Sequence, residues 1–203
     1  MAKYDPIKGQ YIYLDVEGVE YRVYYEEAGE GIPLLVGHTA GSDGRQYRHL
    51  LCDTDVTDNF RTIAFDLPFH GKSLPPYGKK WWTEEYNMTK SLMMNFPNIL
   101  AKELGLDRPV YMGQSMGGHL AIDLASNYPD TYRATIAVEG ALRSAAEYVD
   151  VGMSGIRYEF DNPNVNRAST GAAMMLNISP FSPEESVRET QWMYMCGGPG
   201  VFA

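Results

Sequence analysis

The residues best suited to chemistry lie in one short stretch, Gly113-Gln-Ser-Met-Gly117. A serine between two glycines in the pattern G-x-S-x-G is typical of a nucleophile on a sharp turn from a strand to a helix. Such a turn strains the serine backbone, and side chains at positions 113 and 117 would collide with the neighbouring strand and helix. The N-terminus of the helix favours the negative charge that develops during acyl transfer. Ser115 is therefore the candidate nucleophile; the alternative is a structural serine in a glycine-rich turn.

The chain around this pattern predicts the elements that it requires. Val110-Tyr-Met112 is an apolar run typical of a buried strand, and a helical pattern of apolar residues then leads to Tyr128-Pro129. Alternating residues 11–16, the turn Glu17-Gly18 and the Tyr- and Val-rich residues 21–27 predict a β-hairpin.

Further apolar runs predict buried strands at residues 32–36, 60–65 and 134–138, with a short helix near residues 46–51. A longer helix is predicted from Thr83 to about residue 104, with a kink or break at Pro97. Strands that alternate with helices indicate an α/β fold. We expect a mostly parallel sheet with helices on both faces, entered through an antiparallel hairpin.

Reactive groups in such a sheet gather at the carboxyl ends of the strands. The loops at residues 37–41 and 66–73, Ser115 and Glu139 occupy those ends. A carboxylate that ends a buried strand needs a partner, and a histidine would be the natural one for Glu139. The alternative is that Glu139 is a solvated loop residue or an anchor for a lid.

Composition narrows the class of protein. The 203 residues fit one domain, 44% of them are hydrophobic, and the net charge is −9 with 17 scattered basic residues. Without a basic patch, a nucleic-acid or anionic-membrane partner is not expected. Cys52 and Cys196 form neither a disulfide framework nor a metal pattern, so we expect unpaired thiols. No signal peptide or membrane-spanning run is found, and a cytoplasmic location is predicted.

The character of the chain changes near residue 140. Residues 1–140 are predicted to form the core and residues 141–203 a helical lid, with helices near 141–149 and 183–196 around a loop-like stretch at 158–167. This part is rich in methionine: Met153, Met174, Met175, Met193 and Met195. These methionines either fill a core or line an adaptable apolar substrate pocket.

Over residues 20–140 the chain resembles the α/β-hydrolase family, in its esterase, lactonase and haloperoxidase-like branch. Residues 37–41 are similar to the oxyanion loop after the third strand, and residues 66–73 resemble the Asp-x-Pro-Gly-x-Gly-x-Ser loop after the fourth. Residues 113–118 match the nucleophile elbow. The resemblance implies an α/β-hydrolase fold, here incomplete, with a lid inserted after the sixth strand.

The resemblance also implies roles for single residues. Backbone N–H groups of Met116 and Ala40 would form the oxyanion hole, although Thr39 stands where the family has glycine. Glu139 would be the catalytic acid, at the end of the sixth strand where some members place it. Three side chains are assigned to substrate binding: His38, Thr39 and Gln114. His38 has a second interpretation, in which it braces its loop, and His70 and Asp66 are expected to be structural.

In this family the serine and the acid act with a catalytic histidine, the general base of a catalytic triad. This histidine is not found at its expected place. The family order is serine, acid, histidine, and no histidine follows His119 in this sequence. His119 itself is expected to point into packing or solvent. The resemblance therefore implies a chain truncated at its C-terminus, with the catalytic histidine beyond Ala203 and little activity without it.

The function implied is a serine hydrolase that cleaves a small carboxylic ester or lactone through an acyl-enzyme on Ser115, with no metal and no organic cofactor. The oligomeric state stays open. A C–C bond hydrolase, an acyltransferase or a cofactor-free haloperoxidase would use the same elbow. A non-catalytic ligand-binding protein on the same scaffold is the alternative outside enzymes.

Overall fold

The structure, a computed structural model, describes residues 2–84, 86–142 and 178–197. Its strands are β1 Lys8–Val16, β2 Val19–Ala28, β3 Ile32–Gly37, β4 Phe60–Phe65, β5 Val110–Gln114 and β6 Ala134–Val138. They form one sheet in the order β1-β2-β4-β3-β5-β6. β2 pairs antiparallel with β1 and β4, whereas β3, β4, β5 and β6 are parallel neighbours. The predicted mostly parallel sheet with an antiparallel entry is confirmed.

The hairpin between β1 and β2 turns at the predicted residues. Glu17 and Gly18 have φ angles of 54° and 76°. Two successive positive φ angles define a type I′ turn, whose twist matches that of the flanking strands. The Asp15 carboxylate accepts a hydrogen bond from the Gly18 N–H at 3.0 Å, which stabilises the turn.

The helices follow the strands as expected for this fold. They are α1 Arg48–Cys52, α2 Thr54–Thr57, α3 Lys90–Glu103, α4 Met116–Asn127 and α5 Glu184–Tyr194, with 3₁₀ helices at Gly44–Tyr47 and Trp81–Thr83. α5 agrees with the helix predicted at 183–196. The other expectations for residues 143–177, including the 158–167 loop and three of the methionines, lie outside the described residues, and the lid and its boundary at 140 stay predictions.

The prediction for α3 was wrong at its start. Thr83 ends a 3₁₀ helix and donates its hydroxyl to the Lys80 carbonyl, so it caps nothing. Thr89 is the N-cap, because its side chain accepts from the Leu92 N–H at 3.1 Å. α3 also continues through Pro97, so that of the predicted kink or break the break does not occur. Pro97 is buried beside Phe96, and this packing offsets the hydrogen bond that proline does not donate.

Helices cover both faces of the sheet because successive strand residues point to opposite sides. One face packs on α3 and α4 through a cluster that includes Leu35, Ile63, Phe65, Tyr111, Phe96, Leu100, Leu120 and Leu124. The other face packs on the first 3₁₀ helix and α1 through Leu34, Val36, Ala64, Val110, Tyr47 and Leu51.

β6 is the edge strand, and its burial was predicted wrongly. Residues 134–138 do form the strand, but Ile136 and Val138 are 46% and 40% exposed. In the described chain β6 has a neighbour only on the β5 side, which leaves its other side uncovered.

Elsewhere, Cys52 and Cys196 are free thiols, as predicted. None of the described helices is long and apolar enough to cross a membrane.

Candidate active site

Ser115 lies at the turn between β5 and α4, as the motif predicts. Its backbone has φ 53° and ψ −113°, a region that residues with a β carbon rarely adopt. The Ser115 N–H donates to the Val138 carbonyl at 2.9 Å, so β6 holds the turn in place. The residue is partly exposed rather than packed into the core. The serine is therefore presented at the carboxyl end of the sheet.

Two glycines allow this turn by close backbone contact. A β carbon on Gly113 would lie 2.2 Å from the Gly117 carbonyl oxygen, at the start of α4. A β carbon on Gly117 would lie 2.2 Å from the Gly37 carbonyl oxygen and 3.1 Å from that of His38. The predicted collisions with helix and strand are confirmed. The same contacts bring the first turn of α4 against the loop that follows β3.

That loop contains a tight turn around Ala40. The Ser42 N–H donates to the Thr39 carbonyl at 3.1 Å, and Gly41 has a φ of 74°. A positive φ at the third position defines a type II turn, in which the N–H of the second residue, Ala40, makes no bond within the turn. The Met116 N–H is likewise left over at the N-terminus of α4. Neither N–H has an acceptor among the described residues, so both remain available for an oxyanion.

His38 is enclosed and fully engaged. Its side chain is buried, Nε2 accepts from the Leu67 N–H at 3.0 Å, and Nδ1 lies 2.8 Å from the Thr39 carbonyl oxygen. Because Nε2 is an acceptor, Nδ1 carries the hydrogen and donates it. Burial lowers the pKa of His38 and keeps the ring neutral. These contacts correct the assignment of His38 to substrate binding and support its bracing of the loop that follows β3.

The loop after β4 is held by Asp66. Its Oδ1 accepts from the Gly44 N–H and its Oδ2 from the Lys72 N–H, both at 2.7 Å. Burial raises the pKa of Asp66 to about 7. His70 in the same loop is buried, with Nδ1 2.9 Å from the Pro68 carbonyl oxygen. Both residues have the structural surroundings expected of them.

Glu139 reaches the elbow through Gln114. Gln114 Nε2 donates to Glu139 Oε2 at 2.8 Å, and Gln114 Oε1 accepts from Gln46 Nε2 at 2.6 Å. Glu139 is exposed and has a φ of 54°, close to that of Ser115, which follows the adjacent strand β5. The structure thus brings Glu139 and Gln114 together beside Ser115. Sequence reasoning missed Gln46, since a polar residue in a short helix gives no local signal of such a contact.

Ser115 and His119 line one cleft of about 400 Å³ between α3 and α4. His119 Nδ1 lies 2.8 Å from the Ser115 carbonyl oxygen, one helical turn back. The cleft is also bounded by Lys90 and Asp123, whose charged groups pair at 2.6 Å. His119 therefore faces the serine's cleft, which sequence reasoning did not anticipate.

α5 packs beside the loop that follows β3. The Trp192 ring lies 4.9 Å from the Arg45 guanidinium carbon, and the Ser42 hydroxyl contacts the Met193 sulfur at 3.7 Å. Arg45 is itself paired with the buried Asp43 at 2.6 Å. These contacts attach α5 to the first 3₁₀ helix.

A cluster of ionic side chains joins α5 to α1. His49, Glu185 and Glu189 place their ligand atoms within 4.8 Å of one another. Arg48 pairs with Glu185 at 3.1 Å and also with Glu189. A guanidinium bound to two of these carboxylates opposes a metal cation there, and the cluster acts as an ion-pair network between the helices.

Comparisons with known proteins identify the family. The sequence profile of the family described as alpha/beta hydrolase fold matches residues 32–184, and the chain belongs to the α/β-hydrolase family. It is 28% identical over 154 residues to a 2-hydroxy-6-oxononadienedioate/2-hydroxy-6-oxononatrienedioate hydrolase of Burkholderia vietnamiensis. This alignment covers 73% of this chain and 50% of that protein. The chain thus spans about half the length of this relative.

Solved structures share the fold. A thermophilic esterase from Thermogutta terrifontis superposes with a TM-score of 0.73 and 20% identity, over 95% of this chain and 69% of that one. The N-acyl homoserine lactonase AidH gives a TM-score of 0.67 and 23% identity, over 95% of this chain and 66% of that one.

Proposed function

We propose that the chain carries the nucleophile and oxyanion donors of a serine hydrolase that cleaves a carboxylic ester or lactone through an acyl-enzyme. One observation carries the proposal: Ser115 is held at a φ of 53° at the end of β5, partly exposed. Unused N–H groups of Met116 and Ala40 lie in the two segments that meet at Gly117. A purely structural serine would gain nothing from such strain, whereas a nucleophile gains access and orientation.

The reaction follows from these groups. Ser115 Oγ attacks the carbonyl carbon and its proton passes to a general base, while the carbonyl oxygen becomes an anion bound by Met116 and Ala40. Collapse of this intermediate breaks the ester bond, and the alcohol leaves with the proton from the base. Water, deprotonated by the same base, then hydrolyses the acyl-serine and releases the acid. In a lactone the alcohol and acid stay in one molecule.

The general base is proposed to be a histidine from polypeptide outside these 203 residues. His38 and His70 are buried, and His49 lies against Glu189. The Nδ1 atom of His119 is held against the Ser115 carbonyl oxygen rather than the hydroxyl. Glu139 would orient the base, since Oε2 is bound to Gln114 and Oε1 has no partner in the described part of the chain.

A second candidate is a C–C bond hydrolase. The matched relative is named as a hydrolase of 2-hydroxy-6-oxo dienedioates, and this name is what favours the candidate. The same serine would attack a ketone carbonyl, and the bond broken would join that carbonyl to carbon rather than to oxygen.

The test uses a fluorophosphonate probe on the full-length protein, which includes the polypeptide that supplies the base, followed by substrates. We expect labelling of the wild type, loss of labelling in Ser115→Ala, and unchanged labelling in Ser126→Ala, a serine on the same helix that donates to the Ile122 carbonyl. Turnover of an aryl ester supports an esterase, and turnover of a 2-hydroxy-6-oxo-dienoate alone supports the second candidate. A wild type that the probe does not label would favour the remaining alternative, a non-catalytic ligand-binding protein.

A further inference from the structure

Three hydrogen bonds run in series from the oxyanion loop to Glu139. The Thr39 N–H donates to Gln46 Oε1 at 3.0 Å, and Gln46 Nε2 donates to Gln114 Oε1 at 2.6 Å. Gln114 Nε2 then donates to Glu139 Oε2 at 2.8 Å. We propose that Gln46 is a positioning residue that ties the oxyanion loop to Glu139 through Gln114. The catalytic part of this inference rests on the proposed function.

The direction of the series is forced by its two ends. A backbone N–H only donates, and an ionised carboxylate only accepts. Gln46 must therefore turn Oε1 to Thr39, which leaves Nε2 for Gln114. Gln114 must in turn present Oε1 to Gln46 and Nε2 to Glu139. Each amide thus has one orientation that satisfies both of its neighbours, and bonds that all run the same way strengthen one another.

The segment that carries Gln46 is itself held firmly. The Gly44 N–H is bound by the buried carboxylate of Asp66, and the Tyr47 hydroxyl donates to the Gly37 carbonyl at 2.8 Å. Asp43 caps the same 3₁₀ helix by accepting from the Arg45 N–H. Gln46 therefore projects from a fixed point toward the end of β5.

The series contributes to the direction of the Ala40 N–H by holding the peptide that precedes it. Thr39 is held on both sides, because its N–H goes to Gln46 and its carbonyl oxygen accepts from Ser42 and from His38. In a trans peptide the Thr39 carbonyl and the Ala40 N–H share one plane and point in opposite directions. Fixing Thr39 therefore aims the Ala40 N–H, the oxyanion donor of the proposed function. Loss of Gln46 frees the preceding peptide, which joins His38 to Thr39 and carries the Thr39 N–H.

The three hydrogen bonds from Thr39 through Gln46 and Gln114 to Glu139 form a relay. The relay is tested in ¹⁵N-labelled protein by NMR across the titration of the Glu139 carboxyl group. We expect the Gln114 and Gln46 side-chain amides and the Thr39 N–H to shift with one common midpoint, and Glu139→Gln to abolish all three responses. Gln46→Met keeps the chain length and removes the amide. It should abolish the response of Thr39 while that of Gln114 persists.

Two further variants control this result. Gln191→Met, on the exposed part of α5, should leave every response unchanged. Gln114→Met, which removes the amide beside Glu139, should abolish the responses of Gln46 and Thr39 together. A Thr39 N–H that still follows Glu139 in Gln46→Met, or never follows it, overturns the relay.

A kinetic measurement tests its use in catalysis. With Ser115-dependent turnover, Gln46→Met should lower kcat about tenfold with little change in KM, because the oxyanion exists only in the transition state. A raised KM at unchanged kcat would overturn the positioning role and indicate a substrate contact. Absence of Ser115-dependent turnover in the full-length protein, which includes the polypeptide that supplies the base, would overturn the proposed function instead, and the NMR titration would still decide whether the relay exists.

Discussion

A β carbon added to Gly113 would lie 2.2 Å from the carbonyl oxygen of Gly117. The end of β5 and the start of α4 therefore touch backbone to backbone, with no room for a side chain between them. This contact closes the turn that presents Ser115.

Gly113→Ala should destabilise the protein by about 3 kcal/mol, because backbone atoms rather than a flexible side chain must move. Gly105→Ala is the control: Gly105 has a φ of 63° but nothing within 4 Å of an added β carbon. The free energy of unfolding of this variant should fall only by what a left-handed backbone costs a residue with a β carbon, about 1–2 kcal/mol. Urea unfolding of both variants measures the difference, and equal losses would contradict the steric explanation.

The strain at Ser115 predicts an unusual order of stabilities. Ser115→Gly should be more stable than Ser115→Ala by about 1 kcal/mol, since only glycine adopts a φ of 53° at little cost. Both variants lack the hydroxyl, so their comparison isolates the backbone. Thermal or chemical unfolding measures it, and a glycine variant no more stable than the alanine variant would show that the turn is unstrained.

Asp66 should make the protein less stable as the pH rises. Burial, helped by the nearby Asp43, raises the pKa of Asp66 to about 7. The folded state then holds the proton up to a higher pH than the unfolded chain, so stability falls between about pH 4 and pH 7. The loss is on the order of 2–4 kcal/mol. The free energy of unfolding, measured across this pH range, should fall with pH in the wild type and fall less in Asp66→Asn. Parallel curves of unfolding free energy against pH would contradict the prediction.

His38 should have the opposite effect at acidic pH. Burial lowers the pKa of His38, so the unfolded chain binds a proton at a higher pH than the folded protein does. Stability is therefore complete above about pH 6.5 and falls on acidification below it. His38→Ala should remove this loss and also cost about 2–4 kcal/mol at neutral pH, since the Leu67 N–H loses its acceptor.

The exposed His49 provides the control for this prediction. His49→Ala should change stability at neutral pH by less than about 0.5 kcal/mol. Equal losses in the two variants, measured by urea unfolding, would show that His38 does not brace the loop.

The ion pairs of Arg48 should hold α5 against α1. Arg48→Glu should speed hydrogen exchange in the Glu184–Tyr194 helix a few-fold, since exposed pairs contribute only about 0.2–1 kcal/mol. Adding Glu189→Arg should restore the wild-type rate. Lys102→Glu, the same charge change on α3, should have no effect. An Arg48→Glu variant with wild-type exchange would show that other contacts alone hold α5.

Local patterns in the sequence were enough for the elements and the elbow. Alternation and apolar runs located β4 and β6 at their observed residues, because side-chain period and strand length are local properties. The strained serine and its two glycines were also predictable, since steric limits act between near neighbours. The predicted start of α3 at Thr83 was wrong, because a suitable capping side chain does not by itself fix the start of a helix, and Thr89, which has the same side chain, is the cap in the structure.

Tertiary structure decided what depends on residues far apart in the chain. The sheet order places β3 between β4 and β5 and puts β6 at one end of the sheet formed by the described residues. Burial of His38 under the β4 loop turned a possible substrate contact into a brace. The bond between Gln46 and Gln114 joins residues 68 positions apart. Patterns of neighbouring residues determine strands, helices and turns, whereas hydrogen bonds between separate elements exist only once the chain has brought those elements together.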